Sequence, residues 1–213
     1  MFEFSSKTQV NKKFKLLDIL KQIKADKDIK ADAMKINSIT LSNVINAQTL
    51  NTSADEVFNE IYIFIIDLNK KEIPNLFLEA LDKSIKLHTY FVFTYNDKIY
   101  TTMCYKEIGK VVKLSKYYYH EFSKNISKEL PIVNSVADVY KILYSYEVDL
   151  YYRENESPSD YLKRINAIHK LEFQISKVEK AIQFEAQPKK KYECHFRLLQ
   201  YKKEIEELLK VED

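Results

Sequence analysis

The stretch from Ile61 to Ile66 constrains the fold more than any other part of the sequence. It reads Ile-Tyr-Ile-Phe-Ile-Ile, without a charged or small polar side chain. Its β-branched and aromatic residues leave no polar face, which is typical of a strand covered on both sides. The run is too short to cross a bilayer. We therefore predict that residues 60–68 form the central strand of a small sheet.

The scarcity of glycine argues against several common enzyme sites. The 213-residue chain contains one glycine and four prolines. Phosphate-binding loops, dinucleotide-binding turns and the nucleophile elbow of hydrolases depend on glycine, because it adopts positive φ freely and lets a ligand approach the backbone. We therefore do not expect a P-loop, a Rossmann fingerprint or a hydrolase elbow.

Composition and cysteine usage indicate a soluble cytoplasmic protein. Hydrophobic residues make up 46% of the chain, enough for a packed core, and the formal net charge is only +3. Cys104 and Cys194 are isolated, which fits a reducing cytosol better than a disulfide framework. The start, Met1-Phe2-Glu3-Phe4, lacks the basic and apolar regions of a signal peptide, and no segment is long and apolar enough to span a membrane.

The first 150 residues show both strand and helix patterns. In chain order we predict a helix over 11–24, a strand over 36–41, a polar connection over 43–55, the central strand, a helix beginning at Pro74, strands over 89–95, 99–105 and 111–122, and a helix over 136–150. Asn96-Asp97 predicts a hairpin turn, and the helix after the central strand predicts that strands 60–68 and 89–95 are parallel. The fold class is therefore α+β, a small mixed, mostly antiparallel sheet with helices packed on one face.

From Ser159 the strand pattern stops, and apolar residues recur every three or four positions on two helices separated at Gln187-Pro188. We predict an α+β domain over 1–152 and a coiled-coil-like helical hairpin over 153–213. The apolar seams bury themselves on each other or on a partner, and such arms also allow a homodimer. The seam residues predicted to bind a partner are Leu162, Ile165, Ile175, Val178, Leu198, Tyr201, Ile205 and Leu208.

Lysines cluster at two places that are candidates for nucleic-acid binding. Lys12, Lys13 and Lys15 lie on the outer face of the first predicted helix, and Lys189, Lys190 and Lys191 lie at the predicted tip of the hairpin. Such clusters give salt-dependent, sequence-independent contacts to phosphates. An ordinary solvated face explains the same lysines, so both interpretations stay open.

No stretch carries a catalytic motif, and we predict no catalytic residue, metal or cofactor. None of the histidines stands at metal-ligand spacing; they are His88, His120, His169 and His195. A restriction-type nuclease needs an acidic residue followed by Glu/Asp-x-Lys on the next strand. The spacings Asp67…Lys70 and Glu107…Lys110 are each one residue too long, and Asp28-Ile29-Lys30 falls in a predicted helix or loop. Asp82-Lys83 with Lys106 and Glu107 form either a polar cluster or surface ion pairs.

Several short stretches together resemble a known family. They are Val10-Asn11-Lys12-Lys13, Thr49-Leu50-Asn51, Glu60-Ile61-Tyr62-Ile63-Phe64, Leu81-Asp82-Lys83-Ser84-Ile85, Phe91-Val92-Phe93-Thr94-Tyr95 and the C-terminal helical arms. In this order and spacing the chain resembles the domain-of-unknown-function 4391 family of bacterial proteins over nearly its whole length. Lys86 departs from the pattern, which has proline there, so the following turn is expected to differ.

The resemblance implies a context and no catalytic residues. Proteins of this family are often encoded beside helicase-like ATPases and DNA methyltransferases, in loci that resemble restriction or phage-defence systems. This association makes a non-catalytic accessory protein, with such an enzyme as partner, the first hypothesis. A nucleic-acid-binding module that uses the two lysine clusters is the second hypothesis, and a divergent metal-dependent nuclease is the third.

Overall fold

The computed structural model describes residues 2–52, 58–120, 123–124, 127–148, 150, 153, 156 and 158–210; the side chains of residues 123, 158, 159 and 162 also lie outside this description. The chain divides into two compact units, Met1–Asp149 (unit 1) and Leu150–Asp213 (unit 2). We describe each by itself. The predicted domain boundary after residue 152 falls at a position outside the described residues.

Unit 1 is built around a mixed β-sheet. The strands are β1 (Phe2–Glu3), β2 (Gln9–Phe14), β3 (Ile36–Asn46), β4 (Glu60–Leu68), β5 (His88–Tyr95), β6 (Lys98–Glu107), β7 (Lys113–Tyr119), β8 (Ser123–Lys124) and β9 (Lys128–Glu129). The helices are α1 (Leu16–Gln22), α2 (Lys27–Ala33), α3 (Ala47–Leu50), α4 (Asn75–Ser84) and α5 (Val136–Val148). The main sheet has the order β2-β3-β4-β5-β6-β7; β8 pairs with β6, and β1 pairs with β9.

The prediction of a central strand is confirmed. β4 lies between β3, to which it is antiparallel, and β5, to which it is parallel. The other neighbours in the main sheet are antiparallel, and Asn96, with φ of 52°, forms the left-handed turn between β5 and β6. The fold class is therefore α+β, with one parallel pair generated by the α4 crossover.

Helices cover both faces of this sheet, so the prediction that they pack on one face was wrong. On one face, Phe64 and Phe91 stack at 5.7 Å between ring centroids, in a core that includes side chains of α1, α2 and α4. On the other face, Tyr90 contacts α5 through its hydroxyl. The reason lies in β4 and β5, whose side chains are apolar on both sides, so each face must be removed from water.

The helix predicted over 11–24 is partly a strand. Residues 9–14 form β2, which pairs with β3 through a bulge, and Asn11 within it adopts the left-handed region at φ of 49°. Only residues 16–22 are helical. Pairing with the open edge of β3 satisfies backbone groups of this segment, and that tertiary gain overrides a local helical pattern.

Two further element predictions differ from the structure in length. The strand predicted over 36–41 continues to residue 46, where the Asn46 side chain and Thr49 form a capping box that starts α3 in the predicted polar connection. The strand predicted over 111–122 is β7, which ends at Tyr119; residues 121 and 122 lie outside the described residues.

Unit 2 is a helical hairpin, as predicted. Its helices are α6 (Pro158–Phe184) and α7 (Pro188–Leu209), which at ~1.5 Å per residue extend about 40 and 33 Å. The helices are antiparallel, because Arg164 near the start of α6 donates to the carbonyl of Leu208 near the end of α7 at 3.1 Å. Within the described part of the chain, no helix combines the length and the apolarity that a membrane span requires.

Two arginines donate hydrogen bonds to the last carbonyls of α7. The Arg164 guanidinium binds Glu156 through two contacts of 2.7 Å, and Arg153 donates to the carbonyls of Glu207 and Lys210 at 3.0 and 3.1 Å. The Arg164 and Glu156 side chains are both buried. Cations at a helix C-terminus satisfy its last carbonyls and interact favourably with the helix dipole.

Replacing Arg164 with methionine is expected to lower the stability of the hairpin by about 2–3 kcal/mol, because the Glu156 carboxylate loses the Arg164 guanidinium and the Leu208 carbonyl loses one of its donors. Hydrogen exchange of the amides of α7 is the measurement, with faster exchange expected near its C-terminal end. The control is Lys163→Met, which removes an exposed ion pair with Asp160 and should change exchange little. Equal effects of the two substitutions would contradict the structural role of Arg164.

Candidate functional site

A buried lysine lies beneath the end of α4. Lys106 on β6 and Asp82 on α4 form an ion pair at 2.5 Å, and each side chain is only 1% exposed. The Lys106 ammonium also donates to the carbonyls of Asp82, Ile85 and Leu87, at 3.1, 3.2 and 2.7 Å. These carbonyls belong to the last turn of α4 and the residues that follow it. Lys106 therefore caps this helix from inside the protein, where many helices use a glycine turn.

The Asp82 carboxylate has partners on all sides. It accepts hydrogen bonds from the hydroxyls of Thr89 and Tyr117 and from the thiol of Cys104, the last two at 2.8 and 3.4 Å. Burial, with the charge of Asp82 nearby, raises the pKa of the Cys104 thiol well above its ordinary value, and burial also raises the pKa of Tyr117. A protonated buried thiol is a poor nucleophile. This cluster therefore joins α4 to the sheet, and its thiol is not activated.

The sequence pointed to the residues of this cluster without giving their pairing. Of the group Asp82, Lys83, Lys106 and Glu107, only Asp82 and Lys106 meet in the interior. Lys83 pairs with Glu79 on the exposed side of α4, and Glu107 pairs with Lys113 at the surface. Successive side chains of β6 point to opposite faces of the sheet, so Lys106 faces α4 and Glu107 faces away from it.

A second buried polar cluster lies on the opposite face of the sheet, under α5. Glu147 on α5 accepts a hydrogen bond from the Tyr90 hydroxyl at 2.9 Å, while its Oε2 atom has no hydrogen-bond partner. Burial raises the pKa of Glu147 to about 7. His88 is stacked against Phe58 with its Nδ1 atom unpartnered, and burial, assisted by the charge of Lys106, lowers its pKa to about 3. The sequence does not point to Glu147 and His88 as a pair, because only the folded sheet places both side chains under α5.

Unit 2 exposes large apolar side chains on the outer sides of its helices. On α7, Tyr192, Phe196 and Leu199 are 73%, 55% and 67% exposed and recur at spacings of four and three. On α6, Phe173 and Phe184 are 60% and 85% exposed, and the Lys177 ammonium lies 4.4 Å from the centre of the Phe173 ring. Helical periodicity places these residues opposite the buried Val178 and Cys194. Positions on the outer sides of α6 and α7 that charged residues normally occupy are therefore large and apolar.

The predicted partner-binding seam lies on the other sides of these helices. Ile165 and Val178 are buried, and the remaining described members are half-buried; they are Ile175, Leu198, Tyr201, Ile205 and Leu208. The side chain of Leu162 lies outside the described residues. The role of the seam in partner binding stays a prediction. The exposed apolar side chains of α6 and α7 form a second surface, which the predicted seam does not include. Their signal was present as the spacing of Tyr192, Phe196 and Leu199.

The two lysine clusters lie in different units. Lys12 and Lys13 are exposed on the edge strand β2, not on a helix as predicted, and Lys15 is the residue before α1. Lysines on an edge strand also discourage pairing with another chain, so their position has a structural explanation. Lys189, Lys190 and Lys191 are exposed in the first turn of α7, as the hairpin prediction requires.

Two of the three acidic residues of the nuclease hypothesis, Asp67 and Glu107, have structural partners. Asp67 accepts hydrogen bonds from Asn37 and Thr94 at 2.6 and 3.0 Å. Asp28 and Lys30 lie on α2. Among the residues that the structure describes, no group of three or more His, Cys, Asp or Glu side chains is arranged to hold a metal ion. The nuclease hypothesis stays a prediction.

Comparisons with known proteins give one result about family. No curated protein and no solved structure matches the chain. The model of a family described as a domain of unknown function, DUF4391, matches residues 2–205. The match covers both the sheet of unit 1 and nearly all of the hairpin, and it confirms the resemblance found in the sequence. The chain therefore belongs to the DUF4391 family.

Proposed function

We propose that this protein is a non-catalytic accessory protein of the cytoplasm, in which unit 2 is a binding arm. The partner class is a helicase-like ATPase or a DNA methyltransferase of a bacterial restriction or defence system, which is the context that the family resemblance implies. The exposed rings of Phe173 and Phe184 on α6 are the observation that carries the proposal. Large apolar side chains that are exposed to water on a long hairpin indicate a surface that a partner covers in a complex.

The internal packing of the hairpin supports a binding role for the arm. Its two helices already bury a seam of their own, and Arg153 and Arg164 close the end of α7. The outer aromatic side chains therefore contribute little to folding of the hairpin. Their exposure to water is unfavourable, and it brings no packing within the hairpin in exchange. Association with a partner accounts for that cost.

Co-purification from the native cell tests the proposal. The tagged full-length protein is compared with a double variant, Phe173→Ser and Phe184→Ser, and recovered proteins are identified by mass spectrometry. We expect a helicase-like ATPase or methyltransferase to accompany the unmodified protein, and its recovery to fall at least tenfold with the double variant. Loss of exposed aromatic contacts at an interface commonly weakens binding by this much or more.

The matched control carries serine at exposed apolar residues of unit 1, Leu17 and Met34, which are 71% and 75% exposed. Its recovery of the enzyme should equal that of the unmodified protein. Recovery of no such enzyme with the unmodified protein would reject the proposed partner class. Equal recovery with all three proteins would show that the arm has no part in the association.

A further inference from the structure

One row on the arm combines aromatic and basic side chains. Lys189, Tyr192, Phe196, Leu199 and Lys203 follow one another at spacings of three and four along α7, and all five are exposed. Residues at these spacings share one side of a helix. We call this set the α7 row. Its first residue lies in the exposed run of lysines that continues with Lys190 and Lys191.

The positive charge of the whole chain is concentrated around this row. Residues 170–203, the part of the hairpin nearest its tip, contain nine lysines and arginines and four glutamates, a net charge of +5. The whole chain carries only +3, so the remainder is slightly negative. One of the four glutamates, Glu179, is paired with Lys202 at 3.7 Å. A local excess of this size attracts polyanions and raises the rate at which they associate.

The geometry points to single-stranded nucleic acid as the occupant of the α7 row, which gives the proposed binding arm a ligand. Lysines along the row neutralise phosphates, and exposed aromatic rings between them offer stacking surfaces to bases. Aromatic side chains flanked by cations are the combination by which proteins hold single strands without reading their sequence.

The spacing of the rings favours a single strand over a duplex. Tyr192 and Phe196 are separated by about 6 Å of helix rise, whereas stacked nucleotides rise only ~3.4 Å. Bases that contact successive rings must therefore be unstacked. A single strand allows this at little cost, while a duplex hides the faces of its bases and must be opened first. A duplex gains only the phosphate contacts of the lysines.

Binding to labelled oligonucleotides tests this inference with the purified, nuclease-treated full-length protein. Fluorescence anisotropy is measured with a mixed-sequence single-stranded DNA, the same sequence as RNA, and the corresponding duplex DNA. We expect both single strands to bind and the duplex to bind at least tenfold more weakly. With about four phosphates neutralised, raising salt from 50 to 200 mM should lower single-strand affinity roughly 50-fold.

Two sets of substitutions separate charge from stacking. Lys189→Gln, Lys190→Gln and Lys191→Gln together should weaken binding more than tenfold and flatten its salt dependence, because fewer counterions are released. Tyr192→Ser with Phe196→Ser should weaken binding about tenfold or more and leave the salt dependence unchanged. The charge-matched control, Lys21→Gln, Lys27→Gln and Lys30→Gln on exposed positions of unit 1, should bind within twofold of the unmodified protein.

Each contrary result overturns the inference. Absence of single-strand binding at 50 mM salt would contradict the inference. Duplex binding as strong as single-strand binding, and unchanged by the aromatic substitutions, would also contradict it. An equal loss with the control lysines would assign binding to overall charge. If single strands do not bind but the enzyme still co-purifies after nuclease treatment, this inference falls and the accessory role stands. If single strands bind and no enzyme co-purifies, the proposed partner class falls alone.

Discussion

Replacing Lys106 with methionine is expected to lower the free energy of unfolding by about 3–5 kcal/mol, the largest effect of any single substitution considered for unit 1. The loss of unfolding free energy comes from the buried groups that Lys106 contacts. The Asp82 carboxylate stays buried without its cation, and the carbonyls of Ile85 and Leu87 lose their donor. Methionine fills a similar volume, so the change reports on charge and hydrogen bonding more than on a cavity.

Urea unfolding followed by near-ultraviolet circular dichroism measures this loss, because the chain has sixteen tyrosines and no tryptophan. Lys83→Met is the matched control. Its ion pair with Glu79 on the same helix is about half exposed, so the expected loss is below about 0.5 kcal/mol.

A double variant tests the origin of the effect. Adding Asp82→Asn to Lys106→Met removes the unpaired charge and keeps an acceptor for the Tyr117 hydroxyl. The double variant should therefore be more stable than Lys106→Met alone, by roughly 1–2 kcal/mol. A double variant that loses the sum of both single losses would show that the charge pair is not the source of the stability.

The sequence predicted the parts of this fold that depend on local pattern. The unbroken apolar run at β4 located the centre of the sheet, and the intervening helix α4 predicted the parallel pair. The heptad spacing predicted the hairpin. Each of these patterns is contained in a stretch of neighbouring residues, so it can be read without knowing where the rest of the chain lies.

The parts that failed depend on residues far apart in the chain. β2 forms because β3 offers it an open edge, and nothing in residues 9–14 alone reports that edge. The pairing of Asp82 with Lys106 needs the registers of β5 and β6, and coverage of the second face needs α5 to return from residue 136. The α7 row could have been found, since its spacing is helical. The pattern of a buried seam does not include apolar residues that face outward.

The same long-range packing gives Glu147 and His88 opposite effects on stability. Burial raises the pKa of Glu147 to about 7, above the ordinary value near 4.5. Its contribution to stability is therefore fully present below about pH 4.5 and is lost as pH rises through about 7. Burial lowers the pKa of His88 to about 3, so its contribution is present above about pH 6.5 and is lost as pH falls toward 3. The two slopes oppose each other between about pH 4.5 and 6.5, which flattens the profile of the unmodified protein.

Glu147→Gln should expose the slope that this opposition hides. Glutamine stays neutral at every pH and can still accept from the Tyr90 hydroxyl. Relative to this variant, the unmodified protein should lose about 2–3 kcal/mol of unfolding free energy between pH 5 and 8, because the buried carboxyl ionises in the unfolded chain well before it does in the folded one. Subtracting the two profiles cancels His88, which both proteins share. Glu129→Gln, at an exposed position, should follow the unmodified protein throughout. Parallel profiles for the unmodified protein and Glu147→Gln would mean that the carboxyl under α5 ionises as it does in water, and that α5 does not seal this face of the sheet.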